Sequence, residues 1–255
     1  MDGYRGETID VQGTLDRIEA AARDRGWQIE EFFRDDVTRL IYLRRYSSTG
    51  TEESTTEMGR RVYISTGIHG DEPAGPLAVL RLLETDIWPA DLDLWICPCL
   101  NPVGLARNTR QNAQGVDLNR DYLGPAAAEI TAHIEWLHRQ PNFDLCLLLH
   151  EDWESRGFYL YEQNPDGKPS LAEKMIEAVS AVCPIDESEL IEGRAAVKGI
   201  IRPNLDPRTR PQWPEAFFLI THKTRQSYTI EAPSEFALPI RVAALATAVR
   251  AALSP

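Results

Sequence analysis

One imidazole and two carboxylates stand within four residues at His69-Gly70-Asp71-Glu72, inside the stretch "GIHGDEPAG". The stretch joins one apolar run, "RVYIST", to another, "PLAVLRLLE". His69 and Glu72 are three positions apart, and from a tight turn both can aim at one centre. Gly67 and Gly70 permit a sharp backbone there, and Pro73 suits a first helical turn. A second histidine, His150, follows the apolar run "FDLCLLL". Two imidazoles and one carboxylate form a donor set for catalytic zinc, with three protein ligands and a fourth position left for water. Such an ion lowers the pKa of water from about 15.7 to about 7. A further carboxylate must then take and deliver protons. Glu231, in "SYTIEAPSEF", is the candidate, because it too follows an apolar strand pattern; a structurally paired carboxylate is the alternative. Glu151 and Asp152 directly follow His150, and the adjacent position on a strand points away from it, so both are expected outside the ligand set.

Positive charge gathers in one loop. Arg107, Arg110 and Arg120 fall within fourteen residues of a chain whose formal net charge is -12. Asn119-Arg120, beside Asp117, would present an amide and a planar guanidinium fork, which suits capture of a substrate carboxylate. A solvated loop held by Asn turns is the competing account. An arginine near a metal would stabilise a tetrahedral oxyanion. His133 and His138 fall in a helical stretch and read as surface or boundary residues. His222 falls in a strand-like run without a partner. The overall acidity argues against nonspecific binding to nucleic acid or to an anionic membrane.

The elements that must position these groups alternate. Helical spacing runs from Thr14 to Gly26, with Thr14 as N-cap and Gly26 as stop. "RLIYLRRYSS" reads as a strand, "TGTEESTTEMG" as a polar turn, and "RVYISTGIH" as a strand that ends at His69. "AGPLAVLRLLET" reads as a helix and "LDLWICPCL" as a strand buried on both faces. Residues 101–124 read as one long polar loop, of the kind that carries function. "AAAEITAHIEWLHR" and "SLAEKMIEAVSAV" read as helices, "FDLCLLLHED" and "GFYLYEQ" as strands. Residues 184–216 read as irregular and proline-rich. "AFFLITHK" and "QSYTIEAP" read as two strands, with a hairpin around 223–227, and "LPIRVAALATAVRAAL" as a closing helix. This alternation predicts an α/β fold, a three-layer α/β/α sandwich around a mixed sheet, with ligands at the carboxyl ends of strands. No internal repeat or linker interrupts it, so residues 1–255 are expected to form a single domain.

"HGDE" at 69–72, "NPVGLARNTRQNAQGVDLNR" at 101–120, "LLLHED" at 147–152 and "YTIEAP" at 228–233 together resemble the zinc carboxypeptidase family, the carboxypeptidase A-like metallopeptidases. The resemblance runs in order from about residue 60 to 235. That family also includes murein-peptide amidases and, more distantly, the succinylglutamate desuccinylase and aspartoacylase group; the compact length is closest to those bacterial branches. The resemblance implies a mixed sheet of about eight strands. It implies that His69, Glu72 and His150 bind one zinc ion per chain, and that Arg110 polarises the scissile carbonyl. It further implies that Asn119 and Arg120 hold a terminal carboxylate and that Glu231 is the general acid and base. One departure stands out. The loop that carries a substrate-covering tyrosine in the family reads "PNLDPRTRPQWPEAFF" here, with Trp213 but no tyrosine. Arg202, Arg208 and Arg210 in that region read as solvent-exposed, with contact to an acidic substrate as the second account.

The expected function is hydrolysis of an amide next to a free carboxylate, in a short or murein-derived peptide. Deacylation of an N-acyl amino acid is the first alternative, and a non-catalytic binding protein on the same fold the second. The stretch "MDGYRGETIDVQG" has no apolar h-region, and no run approaches the ~18 apolar residues of a membrane span. Cys97, Cys99 and Cys146 sit in strand-like apolar runs, where buried thiols are the rule. A reduced, cytoplasmic protein is the expectation. Oligomeric state and side-chain preference are not legible.

Overall fold

A computed structural model describes residues 7–47, 59–203 and 206–254. The polar stretch 49–59, expected as a turn, lies outside them except for Gly59. Asp10 opens helix α1 (Val11–Asp24): its side chain accepts from the Gly13 N–H, so the helix begins three residues before the expected Thr14. Strands β1 (Gln28–Arg34) and β2 (Arg39–Arg45) form an antiparallel pair at one edge of the sheet. Strand β3 (Arg60–Thr66) leads through the glycine turn to α2 (Ala74–Thr85), so His69 lies three residues past the strand rather than at its last position. Strand β4 (Leu92–Cys97) follows.

The expected loop at 101–124 is not loop throughout. It holds helix α3 (Pro102–Arg107), capped by Asn101 accepting from the Gly104 N–H at 2.9 Å and ended by Asn108 in the left-handed region. Asn at the cap, Pro at the first turn and Asn at the stop are the punctuation of a short helix. A single turn of 3₁₀ helix at Leu118–Arg120 is capped by Asp117.

Then come α4 (Ala128–Arg139), β5 (Leu145–Asp152), β6 (Tyr159–Gln163) and α5 (Ala172–Ser180). Three small strands, β7 (Leu190–Ile191), β8 (Arg194–Val197) and β9 (Ile200–Ile201), form within the stretch expected to be irregular. The run expected as a strand at 216–223 is helix α6 (Glu215–His222). Its residues Ala216 to Ile220 are all buried, and a short all-apolar run has no periodicity to separate a strand from a buried helix. Pro214 and an acidic first residue, Glu215, decide for the helix. No hairpin forms at 223–227. Instead β10 (Ser227–Pro233) inserts between β5, in parallel, and β6, antiparallel, before α7 (Leu238–Leu253) closes the chain.

The sheet order is β1-β2-β4-β3-β5-β10-β6-β9-β8-β7, ten mixed strands rather than about eight. Side chains alternate between two buried faces. Val62, Ile64, Leu147 and Leu149 meet residues of α1, α2, α5 and α7, while Tyr63, Cys146 and Leu148 meet those of α4 and α6. This is the expected three-layer sandwich. The parity also divides the tip of β5: His150 follows Leu148 to one face and Glu151 follows Leu149 to the other.

Candidate metal centre and cavity

The turn after β3 is shaped by what packs beneath it. Gly67 has φ of +60°. A Cβ on Gly70 would lie 2.0 Å from the Gly104 carbonyl carbon and 2.4 Å from the Leu105 nitrogen, so α3 sits directly against the turn. The Gly67 carbonyl accepts from the Asn101 N–H at 2.8 Å. Thus the block at 101–110 supports the turn that carries His69 and Glu72.

His69, Glu72 and His150 are 3%, 5% and 4% exposed. One donor atom from each lies within 4.8 Å of the other two. The Glu72 carboxylate stands between the rings, with Oε1 2.5 Å from His69 Nδ1 and Oε2 2.9 Å from His150 Nδ1. Burial alone would raise the Glu72 pKa, but the facing imidazoles of His69 and His150 hold it well below the carboxylate range. Two imidazoles and one carboxylate, buried and convergent, are the donor types that fit a divalent ion of the zinc type. Asp117 adds what the sequence left unassigned. Its Oδ1 is 3.3 Å from His69 Nε2, which leaves Nδ1 facing Glu72, and its Oδ2 accepts from Arg110 Nε at 3.0 Å. A carboxylate on the far nitrogen of a ligand histidine fixes its tautomer.

The cluster opens into a cavity of about 630 Å³. Arg110, Asn119, Arg120 and Glu231 all line it. Arg110 Nη1 is 3.8 Å from Glu72 Oε1. Asn119 is buried, and its Oδ1 accepts from the Glu215 N–H at 2.8 Å; among the described residues its NH₂ has no acceptor. Arg120 is exposed, and one guanidinium nitrogen donates to the Asn119 carbonyl. Glu231 stands opposite His150 on one side and Tyr159 on the other. Among the described residues, no group donates a hydrogen bond to its carboxylate. Burial raises its pKa well above the usual range; Glu72, Glu192 and Asp152 add to this and His150 opposes it.

Several expectations need correcting. Asp152 lines the cavity, accepting from the Tyr159 hydroxyl at 3.0 Å, while the Glu151 carboxylate turns to Arg241 and the Ala74 N–H. His133 is fully buried, not at the surface; its ring nitrogens meet the Tyr63 and Tyr122 hydroxyls at 3.0 and 2.7 Å. His222 ends a helix, its ring 4.9 Å from Phe218. Arg210 lines the cavity, whereas Arg202 pairs with Glu162 and Glu173, and Arg208 with Asp206. Trp213 does not face the cavity; its ring N–H donates to the Pro207 carbonyl. Tyr159, Tyr161 and Thr229 also line the cavity. Sequence reasoning missed them because only the β6–β10 register sets Tyr159 beside Glu231 and Tyr161 beside Thr229.

An α/β/α sandwich with this donor set near the carboxyl ends of β3 and β5 is a metallo-carboxypeptidase-like fold. A model of the succinylglutamate desuccinylase/aspartoacylase catalytic domain matches residues 58–185, and the chain belongs to that zinc carboxypeptidase-like family. The matched span holds the whole cluster with Arg110, Asn119 and Arg120, and ends before Glu231. Carboxypeptidase 2 of Trichophyton rubrum is 30% identical over 170 residues, which are 62% of this chain and 31% of that protein. The chain thus spans about a third of the length of the curated relatives it matches. Among solved structures, a protein of Shewanella amazonensis SB2B described as a metallopeptidase superposes with a TM-score of 0.80 at 22% identity, covering 96% of this chain and 94% of that one. A metallo-carboxypeptidase from Burkholderia cenocepacia gives 0.72 at 18% identity, covering 96% and 68%. At those identities the likeness is one of fold.

Proposed function

We propose that the chain is a zinc-dependent hydrolase of an amide bond adjacent to a free carboxylate, in a short or murein-derived peptide. The observation that carries this reading is the convergence of His69, Glu72 and His150, with Glu231 paired in register opposite His150 on the next strand. When bound there, zinc would act as Lewis acid and raise the acidity of water. Arg120 and the NH₂ of Asn119 would hold the substrate carboxylate. That anchor places the scissile carbonyl beside Arg110, whose Nε is tied to Asp117 and whose terminal nitrogens remain for a developing oxyanion. Glu231 takes a proton from the attacking water and returns it to the leaving amine. Residues 1–255 act in this reading as one catalytic domain. A reducing, cytoplasmic setting belongs to the proposal and is supported by four free, buried cysteines. Among the described residues, no helix is long and apolar enough to cross a membrane.

Glu231→Gln is expected to lower kcat by roughly 10²–10⁴-fold with about one zinc per chain retained. Full turnover in that variant would remove the proton-transfer role. A zinc content below half an ion per chain in protein purified without chelator would favour a binding protein instead. The family match favours a second reading, deacylation of N-acyl amino acids, which also carry an amide beside a free carboxylate. Turnover of N-succinyl and N-acetyl amino acids against dipeptides and murein peptides, read by mass spectrometry beside a chelated control, separates the two.

A further inference from the structure

Arg241 is the fourth residue of α7 and is completely buried. This is a poor place for a cation, since the N-terminal turn of a helix repels positive charge and burial removes its hydration. Its guanidinium nevertheless donates from Nη1 to Glu151 Oε2 and from Nη2 to Glu7 Oε2. Glu151 is buried as well, and its other oxygen accepts from the Ala74 N–H, the first residue of α2, at 2.5 Å. The Glu151 backbone N–H in turn donates to Glu72 Oε2 at 3.1 Å. One residue therefore bonds three segments: α7 through Arg241, the start of α2 through Ala74, and the Glu72 carboxylate through its own amide.

We propose that the Arg241–Glu151 pair is a positioning device for the metal centre, setting the separation between the turn that carries Glu72 and the strand tip that carries His150. This rests on the metal-binding reading above. Glu72 reaches the centre from the turn before α2, and His150 from the tip of β5, 78 positions along the chain. The β3–β5 ladder ends at Thr66 and Leu149, short of both Glu72 and His150. The Glu151 carboxylate closes it from behind: with one oxygen on the α2 N-terminus and the other on Arg241, the tip cannot slide relative to the turn. Its peptide N–H then occupies one lone pair of Glu72 and turns the carboxylate toward the two rings. Glu151 and Arg241 do not touch the ion or the substrate; they act through Glu72.

The test is zinc affinity, measured at fixed pH by competition with a chromogenic chelator on stripped, refilled protein. Arg241→Met and the double variant Arg241→Met/Glu151→Gln are expected to bind Zn²⁺ about 10–100-fold more weakly than the parent, the usual cost of removing a group that orients a ligand. The double variant leaves neither charge buried alone, so it reports even where the single one fails to fold; Arg241→Lys, which keeps the cation but loses the two-pronged fork, is the conservative third. Glu7→Gln, altering the exposed arm, is expected to bind as the parent does. A pair with only a structural role would lower the melting temperature of the stripped protein and leave the zinc affinity of folded variants within twofold of the parent, and that result overturns the proposal. A parent chain that binds no zinc would instead sink the metal-binding reading and this inference with it.

Discussion

At the scale of single residues, the proposed ligand set depends as much on Gly70 as on the donors. A side chain there meets the backbone of Gly104 and Leu105 and the Thr109 carbonyl, none of which can turn aside as a flexible side chain would. Gly70→Ala is therefore expected to cost about 1–3 kcal/mol and to lift the turn off α3. Denaturant unfolding would register the first effect and a drop in bound zinc the second. A variant with parental stability and full zinc would show that the close packing is not needed. The donors themselves were legible in the sequence, because chemistry-bearing types crowd around His69 and because the 101–120 block is so distinctive. Asp117 was visible only as a neighbour of Asn119. Its hold on the far side of His69 needs two segments 48 positions apart to meet, which spacing does not reveal.

Among the elements, α2, β5 and α7 were read correctly, β5 from a continuous apolar run rather than from alternation. Others were not. Strand β1 is a sheet edge with a bulge between Glu31 and Phe33, so its polar and apolar residues do not alternate. Helix α6 is apolar all round and passes for a strand. Helix α4 carries the most consequential misreading, since the buried His133 stacks on Trp136 and bridges two tyrosines. Burial lowers its pKa from 6.5 to about 3. The folded state therefore holds the neutral ring, while the unfolded chain takes up a proton below about pH 6.5. The stabilisation from the neutral ring is complete above that pH and is lost as pH falls from there toward 3. Linkage puts the loss between pH 7.5 and pH 5 at about 2 kcal/mol. His133→Gln is expected to flatten the fall in unfolding free energy over that interval by about this amount. An unchanged slope would mean that the ring is not held neutral.

On the scale of the whole molecule, the site is a product of topology. Its groups come from a turn after β3, the tip of β5 and, for Glu231, β10, which the sheet order β3-β5-β10 makes neighbours. The three-layer class followed from the alternation of elements, but this order could not be read, because pairing β10 between β5 and β6 is a long-range choice. The small strands β7 to β9 extend the sheet beyond the expected eight and add Glu192 and Arg194 to the cavity wall. A ligand that bonds segments so far apart along the chain binds the native state and not the unfolded one. Mass action then raises global stability by about 2.7 kcal/mol when free zinc is a hundredfold above its dissociation constant. For a chain of this length that corresponds to a rise in melting temperature of roughly 5–10 °C. Calorimetry of stripped and refilled protein should show this shift, and Glu72→Gln, which keeps the shape but weakens the donor, should lose most of it. If parent and variant melted together with and without zinc, His69, Glu72 and His150 would not be holding an ion between them.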